Sequence, residues 1–209
     1  MPTLCGLILA AGFSSRMGTD KALLLWPPAN ASGTTLLSSV IAALQPFAQH
    51  IVVVAGKNAD NLAPIIAAAG ASMVMNPEPE RGQFSSLQIG LREILIYNCD
   101  AAMITPVDCP PLSVSSLRLL CNAFDRAIEQ GLWAVAPEHN GRRGHPLLAA
   151  HPLIDAFLAA PVTGTARDVK HAHTQRLTYV PVPEPYLTGD MNTPEEYAAA
   201  SALIGGEPR

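Results

Sequence analysis

The chain has 209 residues, of which 49% are hydrophobic and only 14% are charged. Charged residues make up roughly 25% of an average soluble protein, so most elements should be largely buried, and the length suits a single domain of about 100–200 residues. The formal net charge of −4 provides no broad basic surface, which argues against a nucleic-acid partner.

Neither the cysteines nor the apolar segments indicate export or a membrane partner. The chain has four cysteines, which are Cys5, Cys99, Cys109 and Cys121. They form no Cys-x-x-Cys pair and lie in apolar or loop surroundings, which predicts reduced thiols and no disulfide. The apolar residues 4–13 are too few to span a bilayer and follow no basic stretch, so we expect a cytoplasmic protein.

Short apolar segments alternate with segments of helical periodicity in the first part of the chain. The predicted strands are residues 4–10, 51–55, 72–75 and 101–105, and the predicted helices are residues 35–47, 61–69, 85–97 and 114–130. The strands are continuously hydrophobic, as are parallel strands covered by helices on both faces. The order predicts βαβ units with right-handed crossovers.

The second half of the chain is less regular. It contains predicted strands at residues 133–136, 146–149 and 177–182, a Gly-rich turn at 139–144, a short helix from Pro152 and a C-terminal helix from Pro194. Residues 26–33 and 181–190 are predicted loops. We expect this half to complete the sheet with an antiparallel or mixed edge, and ligands to bind beyond the carboxyl ends of the strands.

The first predicted strand continues into a loop, residues 9–21, that suits a triphosphate. Gly12 and Gly18 let backbone N–H groups approach phosphate oxygens, and Arg16 and Lys21 supply positive charge. The spacing matches neither GxxxxGK[ST], since Lys21 lies three residues after Gly18, nor GxGxxG. A P-loop and a dinucleotide-binding oxidoreductase are therefore disfavoured, and an ordinary flexible loop is the weaker alternative.

A candidate metal ligand follows the fourth predicted strand. Asp108 lies between Pro106 and Pro110, a stiff turn that would hold a carboxylate at the edge of the sheet. Mg²⁺ binds one or two carboxylates together with phosphate oxygens and water, so one well-placed Asp is enough. The alternative is a solvated turn residue, a role that Asp commonly takes.

Residues 9–21 read LAAGFSSRMGTDK, which matches LAAGxSxRMGxxK at every fixed position. The chain thereby resembles the MobA-like NTP transferases, and within them the MocA-type molybdenum-cofactor cytidylyltransferases. Residues 82–91, 106–110, 143–146 and 190–195 extend the resemblance over nearly the whole chain. The resemblance implies a Rossmann-like three-layer α/β sandwich of the nucleotide-diphospho-sugar transferase type. It also implies that an NTP and Mg²⁺ bind at the carboxyl edge of the sheet.

The same resemblance assigns roles to individual residues. Lys21, Arg16 and Asp108 are the expected catalytic residues. The nucleotide is expected to contact Leu9, Ala10, Ala11, Gly12, Ser14, Arg16, Gly18, Lys21, Gly82 and Ser86. For Ser86 and its neighbour Ser85, capping of the following helix is an equally good interpretation. Arg143 and His145 are expected to bind the acceptor, with a solvated charge cluster on a turn as the alternative.

The second metal ligand is left open between two residues. Where the family has Asp-x-Asp-Thr-Pro or Asn-x-Asn-Thr-Pro, this chain has Asp190 and Asn192 before Thr193 and Pro194. Asn192 aligns with the usual ligand, but its amide adds no negative charge, so Asp190 is the other candidate. The segment also has the features of a helix N-terminus, with Thr193 as the cap.

The reaction implied is in-line attack of an acceptor phosphate on the α-phosphorus of the NTP, which needs no general base. Ala11 favours CTP, because the guanine-using relatives carry glycine there. The implied acceptor is the phosphate of molybdopterin, and a molybdoenzyme would receive the product. The alternatives are a guanylyltransferase of the same cofactor, a transferase acting on a sugar or polyol phosphate, and a non-catalytic nucleotide-binding cofactor chaperone.

Overall fold

The computed structural model describes residues 2–13, 17–26, 33–188, 191 and 193–205. Within these ranges, eight strands form one sheet. The strands are β1 (Leu4–Leu9), β2 (His50–Ala55), β3 (Ser72–Met75), β4 (Ala101–Pro106), β5 (Ala134–His139), β6 (Arg142–Arg143), β7 (Leu147–Ala150) and β8 (Leu177–Pro181). The helices are α1 (Leu36–Leu44), α2 (Ala59–Ala68), α3 (Gln83–Ile96), α4 (Val114–Glu129), α5 (His151–Ala159), α6 (Ala166–Ala172) and α7 (Pro194–Gly205). Short 3₁₀ helices cover Lys21–Leu23, Pro79–Arg81, Thr174–Arg176 and Pro185–Thr188.

The sheet is mostly parallel and has the predicted mixed edge. Strands β3, β2, β1 and β4 lie side by side and are parallel. Strand β7 then pairs antiparallel with both β4 and β5, and β8 pairs parallel with β5. A two-residue turn at Asn140 and Gly141, both with positive φ, joins β5 to β6 as a hairpin. The predicted α/β class is therefore confirmed.

Helices cover both faces of the sheet, which explains why its central strands are hydrophobic throughout. Ile8 of β1 belongs to a buried cluster with α1, α2 and α4, whereas Leu7 and Leu9 belong to a second cluster with α3 and α5. Because neighbouring side chains of a strand point to opposite faces, an apolar residue is needed at each position. The expected three-layer arrangement is confirmed.

Helix α6 is absent from the sequence prediction. It has no fully buried residue, and only Ala166 and Val169 pack against the core, so its apolar stripe is too short to reveal a helix. The helix begins at Thr165, whose hydroxyl accepts a hydrogen bond from the backbone N–H of Asp168 at 3.1 Å. Local capping, rather than burial, determines where this helix begins.

One cysteine prediction is wrong. The structure joins Cys5 and Cys99 in a disulfide, whereas Cys109 and Cys121 are free. Cys5 lies in β1 beside Ala102 of β4, and Cys99 lies two residues before β4, so parallel pairing brings the two Cα atoms to 5.9 Å. That separation is within the range that a disulfide bridges. Sequence spacing could not reveal the pair, because strand pairing brings the two residues together.

Among the described residues, no helix has both the length and the apolar composition needed to cross a bilayer.

Candidate functional site

A cavity of about 350 Å³ lies beyond the carboxyl ends of β1 and β4, and we call it the loop cavity. Ligand sites in open α/β sheets commonly occupy this position. Eight of the predicted site residues line it, namely Leu9, Ala10, Ala11, Gly12, Lys21, Gly82, Ser86 and Asp108. Gly18 lines an adjoining cavity of about 380 Å³, the side cavity, together with Asn58. Ser14 and Arg16 lie outside the described residues.

The two predicted catalytic residues of the described chain meet in this cavity. The Lys21 Nζ atom lies 2.7 Å from Asp108 Oδ2, and the two side chains are 12% and 22% exposed. Lys21 opens a 3₁₀ helix after the loop, and Asp108 follows β4. The backbone N–H of Val107 donates to the Leu9 carbonyl at 3.0 Å, which holds the two segments together. A cation and a carboxylate therefore lie side by side at the floor of the cavity.

Asn58 holds the loop in place, although the sequence analysis did not identify it. Its Nδ2 donates to the Ala10 carbonyl at 2.9 Å and to Asp20 Oδ2 at 2.7 Å. Its Oδ1 accepts from the Gly56 N–H at 3.0 Å. Asp20 in turn accepts from the Ala22 N–H at 3.0 Å, and so caps the turn that carries Lys21. A polar side chain shortly after β2 was the only sequence signal for this role.

Glycines shape the loop in two ways. A Cβ at Gly56 would lie 2.8 Å from the Ala11 carbonyl oxygen, so only glycine permits this close backbone approach. A Cβ at Gly12 would meet nothing within 4 Å, so the backbone here faces open space. Gly18 has a φ of +68°, which favours glycine. The loop thus packs tightly on its β2 side and stays open toward the cavity.

The start of α3 forms the opposite wall of the loop cavity. Helix α3 begins at Gln83, and its N-cap residue is Gly82, which has a φ of +92°. The alternative interpretation, in which Ser85 or Ser86 caps this helix, is therefore wrong. Both serines lie in the first turn and accept hydrogen bonds from Asn76 Nδ2, at 3.0 and 2.9 Å. Asn76, buried after β3, was also missed by the sequence analysis.

The predicted metal ligands are only partly described. Asp108 faces the cavity, and its backbone carbonyl accepts a hydrogen bond from the Met191 N–H at 3.2 Å. Asp190 and Asn192 themselves lie outside the described residues. Within the described ranges, no three His, Cys, Asp or Glu side chains converge. One carboxylate beside a cavity that could hold phosphate oxygens fits Mg²⁺, which needs few protein ligands.

The two predicted acceptor residues lie at the opposite end of the sheet edge, before β7. The cavities that His145 lines include a middle cavity of about 520 Å³ and a far cavity of about 480 Å³, and Arg143 lines the far cavity. The Arg143 guanidinium lies 3.8 Å from the centre of the Tyr179 ring, a cation–π contact. A Cβ at Gly144 would meet Leu187 at 2.4 Å, so glycine is required between the two residues.

His145 is neutral in this environment. Burial and the positive charge of Lys170 lower its pKa to about 4, against the opposing effects of the Ile104 carbonyl and the Asp108 carboxylate. Lys170 lines both the middle and the far cavity, as does Arg167. Neither cation is predicted from the sequence, because no helix is predicted for residues 166–172.

The fold and the loop cavity together define a nucleotide-binding α/β protein with a lysine and a carboxylate at its centre. The family model for the MobA-like NTP transferase domain matches residues 6–177. The chain belongs to the MobA-like NTP transferase family, as the sequence motifs indicated. This membership makes it an NTP-dependent nucleotidyltransferase.

Several named proteins are similar to this chain. The molybdenum cofactor cytidylyltransferase of Escherichia coli is 27% identical over 196 residues, covering 93% of each chain. A molybdenum cofactor guanylyltransferase of Cereibacter sphaeroides is 31% identical over 207 residues, covering 96% of this chain and 97% of the relative. The crystal structure of Rv0371c from Mycobacterium tuberculosis has a TM-score of 0.75 at 20% identity, covering 96% and 98% of the two chains. The manganese complex of the same protein has a TM-score of 0.68 at 17% identity, with the same coverage of both chains.

Proposed function

We propose that this protein transfers CMP from CTP to the phosphate of the molybdenum cofactor, with release of pyrophosphate. The observation that carries the proposal is the contact of 2.7 Å between Lys21 and Asp108 in a cavity lined by the loop motif. A lysine that neutralises phosphate charge and a carboxylate that can hold Mg²⁺ are the two groups that phosphoryl transfer requires. Relatives named as cytidylyl- and guanylyltransferases of this cofactor support the choice of acceptor.

The chemistry is in-line attack of the acceptor phosphate on the α-phosphorus of CTP. The bond from the α-phosphorus to the bridging oxygen breaks, and pyrophosphate leaves. The attacking phosphate is ionised at neutral pH, so no general base is needed. Lys21 and Arg16 neutralise the triphosphate, and backbone N–H groups of the loop orient it. Mg²⁺, held by Asp108 with Asn192 or Asp190, would neutralise developing charge on the phosphate oxygens.

The preference for CTP rests on Ala11, at a position where guanine-using relatives carry glycine. Ala11 lines the loop cavity, and we infer that its methyl group reduces the space beside a bound nucleotide. A purine should suffer more than a pyrimidine from this loss of space. GTP is the second candidate, since a guanylyltransferase is 31% identical over nearly the whole chain.

The acceptor is assigned to the middle and far cavities, where Arg143 and His145 lie. The pKa of His145 is lowered to about 4, so at neutral pH its imidazole is uncharged and can form hydrogen bonds to an acceptor in the cavity. The product would pass to a molybdoenzyme.

The test measures pyrophosphate release from CTP, GTP, ATP and UTP in turn, with and without purified molybdenum cofactor, in the presence and absence of Mg²⁺. We expect release only with cofactor and Mg²⁺, fastest with CTP. Equal release with a sugar phosphate as acceptor would contradict the assignment, and nucleotide binding without any release would favour a chaperone.

The Ala11→Gly variant tests the base preference. One methyl-sized difference in a site usually discriminates by about 1–3 kcal/mol, so we expect native protein to prefer CTP over GTP by roughly ten- to two-hundredfold in kcat/KM. The variant should use GTP better and CTP nearly as before, measured by competition at fixed Mg²⁺ and cofactor. A native preference for GTP, or an unchanged ratio in the variant, would refute the steric argument.

A further inference from the structure

Three cations surround the far cavity. Arg143 from β6 and Arg167 and Lys170 from α6 line it, and no carboxylate is among its described lining residues. Arg167 and Lys170 are three residues apart, so they lie on one face of α6. In a chain whose net charge is −4, this is a marked local excess of positive charge.

No described carboxylate forms an ion pair with these three cations. Arg143 packs on Tyr179, and burial lowers the pKa of Lys170, with the charges of Arg143 and Arg167 adding to the effect. Cations that are brought together at a cost in free energy, without a protein anion between them, form a suitable site for an external anion.

The shared lining residues place the three cavities in a fixed order along the edge of the sheet. The middle cavity shares Leu9, Gly82 and Gln83 with the loop cavity. It shares His145, Leu147, Arg167 and Lys170 with the far cavity. The loop and far cavities have no lining residue in common. A ligand in the far cavity is therefore separated from Lys21 and Asp108 by the length of the middle cavity.

The middle cavity has both apolar and cationic walls. Its lining includes the apolar side chains of Phe84, Leu87, Ile104, Leu147 and Phe157, together with Arg81 and with Arg167 and Lys170 at the boundary with the far cavity. Of the three cavities, only the loop cavity has carboxylates among its described lining residues, and these include Asp108 and Glu80. The row of three cavities thus has a metal-compatible end, a largely apolar middle and a cationic region where the middle and far cavities meet.

We propose that Arg167 and Lys170, assisted by Arg143, form an oxyanion subsite for a second anionic group of the acceptor. This inference rests on the proposed function, because it takes the attacking phosphate to lie beside Lys21 and Asp108. The body of the acceptor then lies along the middle cavity, and its second negatively charged group lies between Arg167, Lys170 and Arg143, where the middle and far cavities meet. Pyrophosphate is the other oxyanion that such a subsite could hold, and the test distinguishes the two.

The first measurement needs no turnover and uses the native protein. The chain has only three lysines, Lys21, Lys57 and Lys170, so acylation by an amine reagent can be followed at each by mass spectrometry. Inorganic phosphate is the probe. We expect phosphate to slow acylation of Lys170 at least about threefold, and to slow acylation of Lys57 much less. Unchanged acylation of Lys170, or equal protection of both lysines, would overturn the subsite.

The second measurement assigns the subsite to a substrate. Arg167→Gln and Lys170→Gln each remove one charge-assisted contact, so KM for molybdenum cofactor should rise roughly ten- to hundredfold, with KM for CTP unchanged. Arg126→Gln, which removes an exposed arginine of α4 that lines none of these cavities, is the matched control and should leave both values unchanged.

The outcomes separate this inference from the proposed function. A rise in the inhibition constant of pyrophosphate, with KM for cofactor unchanged, would assign the cations to the leaving group and overturn the acceptor assignment. If native protein releases no pyrophosphate with any acceptor, the proposed function fails, and the assignment of this subsite to an acceptor fails with it. Protection of Lys170 would then establish an anion site alone.

Discussion

Replacing Asn58 should loosen the loop that carries Lys21. Asn58 makes three hydrogen bonds of 2.7–3.0 Å, to Gly56, Ala10 and Asp20. Each contributes about 0.5–1.5 kcal/mol net, and water can replace part of this in a partly buried site, so Asn58→Ala should lower the free energy of unfolding by about 2 kcal/mol. Activity should fall roughly tenfold or more, because Lys21 loses the anchored turn that positions it.

Asn58→Asp should be worse than alanine. It keeps the acceptor for Gly56 but places a second carboxylate against that of Asp20. Two like charges about 4 Å apart repel by about 4 kcal/mol at an effective dielectric constant near 20, which exceeds the loss of the hydrogen bonds. Adding Asp20→Asn to Asn58→Asp should restore much of the stability. The amide at position 20 can then donate to the carboxylate at position 58, so only the hydrogen bond to the Ala10 carbonyl is lost.

The assays are urea denaturation and CTP-dependent pyrophosphate release. Asn61→Ala is the control, since this exposed residue lines the same side cavity without a side-chain hydrogen bond among the described residues. The reasoning is wrong if Asn58→Ala matches the native protein in both assays, or if the double variant is no more stable than Asn58→Asp alone.

Three further predictions concern the cavities. Lys21→Ala should reduce turnover by roughly 10²–10³ without unfolding the protein. Lys57→Ala is the control and should retain near-native turnover. Similar rates for the two variants would show that Lys21 has no catalytic role. Asp108→Asn should abolish Mg²⁺-dependent turnover with little change in Tm, and a variant that unfolds while keeping normal activity per folded molecule would make Asp108 structural. The pKa of His145 is about 4 in the folded protein and about 6.5 in the unfolded chain, so between these values only the unfolded chain binds the proton. The free energy of unfolding should therefore fall by about 2 kcal/mol from pH 7 to pH 5. His145→Gln should lose that part of the pH dependence in urea titrations, and an unchanged slope would mean that His145 protonates freely.

The regular elements of the first half could be predicted because their signals are local. Continuous hydrophobicity marked the buried strands, and periodicity marked the helices, with errors confined to the ends: α3 begins at Gln83, two residues before the predicted start. The phosphate loop and Asp108 were identifiable for a similar reason, since each directly follows a strand.

Features that depend on tertiary contacts could not be read from the sequence. Asn58 and Asn76 carry no local pattern, and their roles come from partners on distant segments. Lys170 was missed with α6, which has no fully buried residue. The pairing of Cys5 with Cys99 follows from the register of β1 and β4, which no spacing rule encodes.

The reversed direction of β7 has a consequence for how this family can diversify. Because β7 runs antiparallel to β4, the residues that precede it reach the same edge of the sheet as the residues that follow β1 and β4. The loop and α3 walls around the nucleotide come from residues 9–86, and the cationic end comes from residues 143–179. On the proposed assignment, a recombination near the start of β4 would exchange the base selectivity of one relative while keeping the acceptor of another.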